Sequence, residues 1–389
     1  MKHLKPVSSA LCFSGLPLLG ASIYLLSFSN TAIAQDGFHL EVRENAVYDD
    51  NPLMRSADNA IDTIRGLETT ALVGYNHNSN SSVFNTTTTI RHNQFDISRY
   101  NSTDFFLDIN YRKEKARWAW GLNGSFDYDT PRTADESTLG LVQLSDRRMA
   151  YSISPNLIYK LSPRKSLGLN ASITEKNYSS GSASTDHRTR TISPFYSYDI
   201  ERNTISVAYQ YQQYEALSRS ELNVDSTGPF LTWRNDITPN TAIETSFGML
   251  GTRYTGIGQS GEWEINPIYS FGVEHSGKQN TLTLSINRAR QALTNGTETD
   301  ITTLKIQDQF MIAPLWALKI QTEYKKVKQS SFSSTDLDNS YSAYIDTKYD
   351  ISRDLKFSMS YRYAQDSYIT DREDASRNVV RASLNYKLK

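Results

Sequence analysis

Apolar and polar residues alternate one for one along most of this chain, in blocks broken by short polar turns. The clearest block places Met149, Tyr151, Ile153, Leu157, Tyr159 and Leu161 on every second position, stops at Ser162-Pro163-Arg164-Lys165, and resumes as Leu167, Leu169, Ala171 and Ile173. Side chains of a strand point alternately to its two faces, so this pattern predicts two antiparallel strands joined by a tight turn. One face is apolar and aromatic, and the other carries Ser152, Ser154, Asn156, Lys160, Ser166 and Asn170.

The same layout returns from Pro194, from Pro229 and from Pro267, each time with the proline early in a strand and on its apolar face. Hairpins that recur at near-regular spacing mean a closed barrel or a solenoid-like array. Carried along the chain, the alternation predicts about 18 strands, with 16 as the nearest alternative. Eight short turns alternate with nine longer loops. Strict short, long, short, long order is what a transmembrane up-and-down antiparallel β-barrel requires, with short periplasmic turns and longer extracellular loops. A sandwich or a propeller does not need it. Strands of about 11 to 13 residues, tilted near 40°, rise roughly 25 to 33 Å, enough to cross the apolar band of a membrane.

The first residues set the compartment. Lys2 and Lys5, an apolar run from about Leu11 to Phe28, and Ala32-Ile33-Ala34 describe a secretory signal peptide over residues 1–34, cut after Ala34. Residues 35–389 are then a single outer-membrane barrel domain of a Gram-negative bacterium. The sole cysteine, Cys12, lies within the leader, which leaves the mature chain without thiol chemistry. Beyond the leader no apolar run is long enough for a membrane helix. A negative mean hydropathy is compatible with a membrane barrel, because only alternate side chains of each strand meet lipid.

Composition sharpens this picture. The chain has 24 tyrosines, 15 phenylalanines and 5 tryptophans, and aromatics with a polar edge suit a membrane interface. Its 41 basic side chains against 42 acidic ones, with no basic block, exclude a nucleic-acid binder's balance. The histidines expected in the mature chain, His39, His77, His92, His187 and His275, show no metal-ligand spacing, and no serine sits in a nucleophile elbow. We therefore expect no catalytic, cofactor or metal site. Asp49-Asp50-Asn51 and Asp336-Leu337-Asp338-Asn339 are short oxygen-rich runs that lack the full spacing of a calcium loop.

If the apolar rows face lipid, the alternate rows line a lumen. Among the residues expected there are Asp108, Arg112, Arg117, Lys160, Arg234, Glu264, Lys319, Glu323, Lys348, Arg362 and Arg381. Both signs are interspersed on that face, a mixed lining that favours hydrated, weakly charged or uncharged solutes over strong selection for one ion sign. The bland reading is that these charges pair across the wall and keep it wet. The longer loops lean acidic, which would suit divalent cations among lipopolysaccharide phosphates.

The opening Glu44-Asn-Ala-Val-Tyr48-Asp49-Asp50-Asn51-Pro52-Leu53, followed by Pro-x-x-x-Tyr strands and Ser-Pro-Arg turns, resembles the outer-membrane β-barrel porin 2 family, whose members include barrels of exopolysaccharide and exosortase loci. The resemblance implies a passive outer-membrane conduit with a secreted polysaccharide as candidate cargo. It implies no catalytic residue. Expected partners are outer-membrane lipid and lipopolysaccharide, the barrel assembly machinery, polysaccharide and periplasmic export components. The last strand departs from the usual assembly signal: Leu388 stands where a phenylalanine is usual, and Lys389 follows. Two other classes stay open, a plugged structural or adhesive barrel whose loops bind partners, and an outer-membrane hydrolase.

Overall fold

The computed structural model describes residues 37–55, 62–130, 147–179, 184–217, 222–256, 261–292, 298–328, 337–369 and 373–388. The expected signal peptide with Cys12, most of the loop after Asp129, and part of the Asp336–Asn339 run lie outside them.

Each alternating block of the sequence is a strand. The first nine are β1 (Gly37–Asp49), β2 (Ile64–Asn78), β3 (Ser82–Phe95), β4 (Ser102–Glu114), β5 (Trp118–Asp129), β6 (Arg148–Ser162), β7 (Lys165–Tyr178), β8 (His187–Ile200) and β9 (Asn203–Ala216). The second nine are β10 (Asn223–Thr238), β11 (Thr241–Thr255), β12 (Trp263–Ser276), β13 (Asn280–Ala292), β14 (Glu298–Ala313), β15 (Trp316–Lys328), β16 (Leu337–Asp350), β17 (Leu355–Tyr368) and β18 (Ala375–Leu388). Among the described residues one 3-10 turn, Ser98–Tyr100, which the alternation does not predict, interrupts the β3–β4 loop.

Every strand pairs antiparallel with its chain neighbours, and β1 pairs with β18, so the 18-stranded sheet closes on itself. Closure leaves no row of unpaired backbone groups at an edge, the condition for a sheet to stand in hydrocarbon. Where a proline falls on a strand, the ladder is interrupted. Ile153 and Asn156 pair with Ile173 and Asn170, but Pro155 between them, which has no N–H, does not pair with β7. The same gap recurs at Pro194 in β8–β9 and at Pro229 in β10–β11.

The two faces separate as the alternation requires. Contacts that skip a strand identify the concave inner face: Phe195 of β8 packs on Ala119 of β5 and Ile158 of β6, and Phe230 of β10 packs on Ile268 of β12. The Phe195 ring lies over Gly168 of β7, where an added Cβ would meet ring carbon Cζ at 2.0 Å; glycine makes room for it. The other face carries the exposed rows, such as Leu231 at 51 % and Phe247 at 52 %, whereas inward Ser226 is 1 % exposed and Thr252 0 %. Apolar side chains left exposed in continuous rows belong against lipid.

At the short-turn end the outer face carries an aromatic girdle. Phe38, Tyr75, Phe84 and Tyr111 meet in sequence with ring centroids 4.8, 6.2 and 6.4 Å apart. Trp120 continues the row at 4.7 Å from Tyr111, and Trp118 meets Tyr159 at 4.5 Å. Such rings sit at the level of lipid headgroups.

The joint of the barrel is held by the motif after β1. Arg377 of β18 makes a bidentate pair with Asp49, Nη2 to Oδ2 at 2.6 Å and Nε to Oδ1 at 3.0 Å. Asn378 donates from its backbone and its amide to the two oxygens of Asp50 at 2.6 and 2.7 Å. The Asn51 amide donates to the carbonyls of Arg55 and Ser376. Leu53 packs with Val47, Ile64, Phe95, Tyr100 and Val379 beneath. The oxygen-rich run at 49–51 is thus a clasp between the first and last strands.

The candidate channel wall

Strand register places the expected lumen residues. Asp108 and Arg112 on β4 pair opposite Thr87 and Val83 of β3, and Lys160 on β6 opposite Ser166 of β7. Arg234 stands opposite Glu244, Glu264 opposite Thr252, Lys319 opposite Asp346, and Glu323 opposite Lys305. Lys348, Arg362 and Arg381 stand opposite Ala317, Tyr344 and Ser360. All of these are inner-face positions. Arg117 differs: it lies in the β4–β5 turn, where its carbonyl accepts from the Lys160 backbone, so it is at the rim of the barrel.

Many inner charges have partners on the wall. Arg234 lies 3.5 Å from Glu244 and 3.3 Å from Asp236, Lys325 lies 2.8 Å from Glu323, and Lys348 lies 3.4 Å from Asp346. Arg381 approaches Glu68 at 3.7 Å across the joint, and Arg112 pairs with Glu114. The Lys319 ammonium sits 5.8 Å over the Tyr344 ring.

Signs that alternate along the chain are sorted around the barrel. From β14 to β18 the inner face carries Lys305, Lys319, Lys325, Lys348, Lys356, Arg362, Arg377 and Arg381, against Glu323, Asp346, Asp350 and Asp366. On β4 and β5 it carries Asp104, Asp108, Glu114, Asp127 and Asp129 against Arg112. Between these sectors β8 to β13 present many Ser, Thr, Gln and Asn, with Asp199, Arg234, Asp236, Glu244, Glu264 and Glu274 among them. The two signs stay interspersed at close range, as in Arg234–Glu244 and Lys325–Glu323, while their balance shifts from one side of the wall to the other. Opposed sectors produce a field across the lumen that focuses charge of one sign to each side.

Two recesses open on the wall. One, of about 360 Å³, is lined by Glu41, Arg43, Glu68, Thr89, Arg91 and Asp108 among others. Its neighbour, of about 350 Å³, is lined by Asn85, Thr87, Asp108, Asn110, Asn123 and Ser152 among others. The first offers both signs and the second mainly amides and hydroxyls, groups that replace the hydration of a polar solute.

At the loop end the wall narrows. β13 no longer pairs with β12 beyond Arg288. Consecutive residues Ala289 and Arg290 are 1 % and 6 % exposed, and Thr299, Asp300 and Ile301 are equally buried, so both faces of the β13–β14 hairpin are covered there. Arg290 lies 5.8 Å over the ring of inward Tyr254, and Lys328 donates to inward Asn266 at 3.1 Å, three strands away. The hairpin therefore leans over the lumen. Sequence alternation holds no signal for this, because the strands remain regular.

Outside the membrane-spanning strands, Tyr100 donates to Asp62 at 2.6 Å and Arg99 pairs with the same carboxylate, tying the first loop to the β3–β4 loop. The hydrogen bond from Tyr100, and then the Arg99 charge, hold the Asp62 carboxyl below the usual range against the opposing effect of burial. Burial, then the bond to Asp62, pushes the Tyr100 phenol up. Among the described residues no group of histidine, cysteine or acidic side chains is placed to hold a metal ion.

No family model matches the chain, and no curated protein does. Solved outer-membrane channels share its fold. OccK1 (OpdK) of Pseudomonas aeruginosa superposes with a TM-score of 0.50 at 8% identity, over 90% of this chain and 98% of that one. OpdK of the same organism, solved with vanillate, gives the same figures. The channel DcaP of Acinetobacter baumannii aligns with a TM-score of 0.47 at 11% identity, over 91% of this chain and 97% of that one. At such identities the likeness is one of fold, and the chain is a closed 18-stranded barrel of the outer-membrane type.

Proposed function

We propose that this protein is an outer-membrane channel, a passive conduit for hydrated solutes, specialised for export of a polysaccharide. The observation that carries the reading is a closed 18-stranded wall with a polar, charged inner face and an apolar outer one. A barrel of this size encloses an aqueous passage unless something fills it. The leaning β13–β14 hairpin narrows the loop-side mouth, and the narrowing supports selection by size. The hydroxyl and amide side chains along β8 to β13 support a hydroxylated cargo, which exchanges hydrogen bonds with such a wall. In this reading lipopolysaccharide meets the outward charges at the loop end, the assembly machinery reads β18, and periplasmic export components meet the turn side. No chemical step is assigned to the wall.

Two experiments test it. Purified protein added to a planar lipid bilayer is expected to give discrete, ohmic conductance steps; a closed barrel at low voltage would support the plugged, adhesive alternative instead. Deleting the gene is expected to lower surface polysaccharide while its synthesis continues. Unchanged surface polymer would remove the export specialisation and leave the generic channel.

A further inference from the structure

The outer face is not uniformly apolar. On β1 the outward row runs Phe38, Leu40, Val42, Glu44, Ala46, Tyr48, so a carboxylate stands between aliphatic positions. At about 3.3 Å per residue and a tilt near 40°, each residue climbs about 2.5 Å. Glu44 is then about 15 Å above the Phe38 ring, near the middle of an apolar band roughly 25 Å tall. Other outward charges gather toward the loop end, where they pair: Glu175 with Arg188, Asp225 with Arg253 at 3.0 Å, and Asp300 with Arg288 at 3.1 Å. Asp308 on β14 is a second outward carboxylate within an apolar row, between Ile306 and Phe310 and five residues above the Trp316 level.

Thr69 on β2 donates to Oε2 of Glu44 at 2.7 Å. The outward positions around the pair include the small Ala382 on β18, Ala46 on β1, Ala71 on β2, and Thr86 and Thr88 on β3, set among larger apolar residues: Leu384 directly opposite Glu44, Ile90 opposite Ala71, and Val42, Leu67 and Val73 beside them. Above Thr88 on the same strand is outward His92, whose Nδ1 meets the Thr103 hydroxyl at 2.9 Å and whose Nε2 is the other ring nitrogen. Small side chains let two membrane surfaces approach closely, and a carboxylate in hydrocarbon is unfavourable without a donor.

We infer that the outer face of β1, β2 and β3 is the contact surface of a two-fold dimer of this chain in the membrane. The acid on β1 and the donors on β3 flank β2 symmetrically. A two-fold axis along the membrane normal and passing beside β2 sets β1 of one copy against β3 of its mate, so the patch complements itself. By the same rise per residue Thr88 is about 10 Å and His92 about 20 Å above the Phe84 level, which brackets Glu44 in height. Each Glu44 then meets the mate's Thr88 and His92 side chains, while Ala71 and Thr69 pack at the axis. The inference rests on the bilayer-spanning reading but not on the solute carried.

The test is an Ala71→Cys variant of the mature protein, otherwise free of cysteine, oxidised in proteoliposomes. A covalent dimer is expected from A71C and none from Thr245→Cys, an outward position on β11 nine strands away. Light scattering of the wild type in mild detergent is expected to give a dimer, and Glu44→Leu to lower its association by about tenfold or more. A monomeric wild type, with or without bound lipopolysaccharide, would overturn the proposal, as would equal cross-linking from both cysteines or an E44L protein that stays dimeric. Bilayer conductance of the same samples is a separate readout: channels from a monomeric protein would reject the dimer and retain the channel.

Discussion

Asp49 and Arg377 show how much of this barrel depends on single contacts. Both are nearly removed from solvent, and they join strands 328 positions apart. Removing one partner of a buried pair leaves the other uncompensated, which costs about 3 to 5 kcal/mol. We therefore expect Arg377→Ala to lower the temperature at which the folded band is lost in heat-modifiability gels, and the double variant Asp49→Leu, Arg377→Met to recover part of it. An unchanged midpoint for R377A would mean that the strands close without the clasp. The run Tyr48-Asp49-Asp50-Asn51 stood out in the sequence, but its role as a clasp was not legible, since nothing local marks Arg377 and Asn378 as partners. The Asp62 contact predicts a pH dependence. A carboxyl whose folded value is depressed contributes stability above its unfolded value, and that contribution is lost as pH falls through the folded one. Hydrogen-exchange protection around Asp62 and Tyr100, taken relative to the intrinsic exchange rate at each pH, is expected to be high at pH 7 and to fall below the carboxylate range. Tyr100→Phe should remove most of this difference, and equal exchange in wild type and variant would count against it.

At the scale of the hairpin, a two-residue period carries the architecture. A strand read correctly in its alternation has both faces assigned at once, because a slip of one residue would put every leucine in water. That is why strand number, turn order and face were legible from the β6–β7 block onward. Strand ends were less so: β3 runs to Phe95, past its Thr-rich core, because inward Asn93 bonds Ser102 and Asp104 on β4. Neighbouring residues of β7 test the assignment. A cation at outward Leu169 is expected to destabilise folding into liposomes by about 2 to 4 kcal/mol, whereas lysine at inward Asn170 should be tolerated. Equal cost at both positions would contradict the two faces.

The whole molecule adds what neither residue nor strand contains, a wall whose charges are sorted by azimuth. The base-rich stretch from β14 to β18 and the acid-rich pair β4 and β5 were each present in the sequence, yet only the closed strand order sets them on different sides. Replacing Lys305, Lys319 and Lys348 by glutamate is expected to move the reversal potential in a salt gradient toward cation selectivity. No movement would mean that the basic sector does not face the ion path. The leaning of the β13–β14 hairpin, likewise, comes from contacts with Tyr254 and Asn266 that no pattern foretold.

The central claim is that adjacent residues of one strand touch water in a passage and lipid outside it. Ser152 and Ile153 of β6 put it to the most direct test, since Ser152 bonds inward Thr174 and Ile153 is 47 % exposed on the outer rows. Single cysteines at each, treated with a charged thiol reagent during bilayer recording, should give a stepwise fall in conductance at position 152 and none at 153. A fall at 153 alone, or at neither in a conducting protein, would contradict the account.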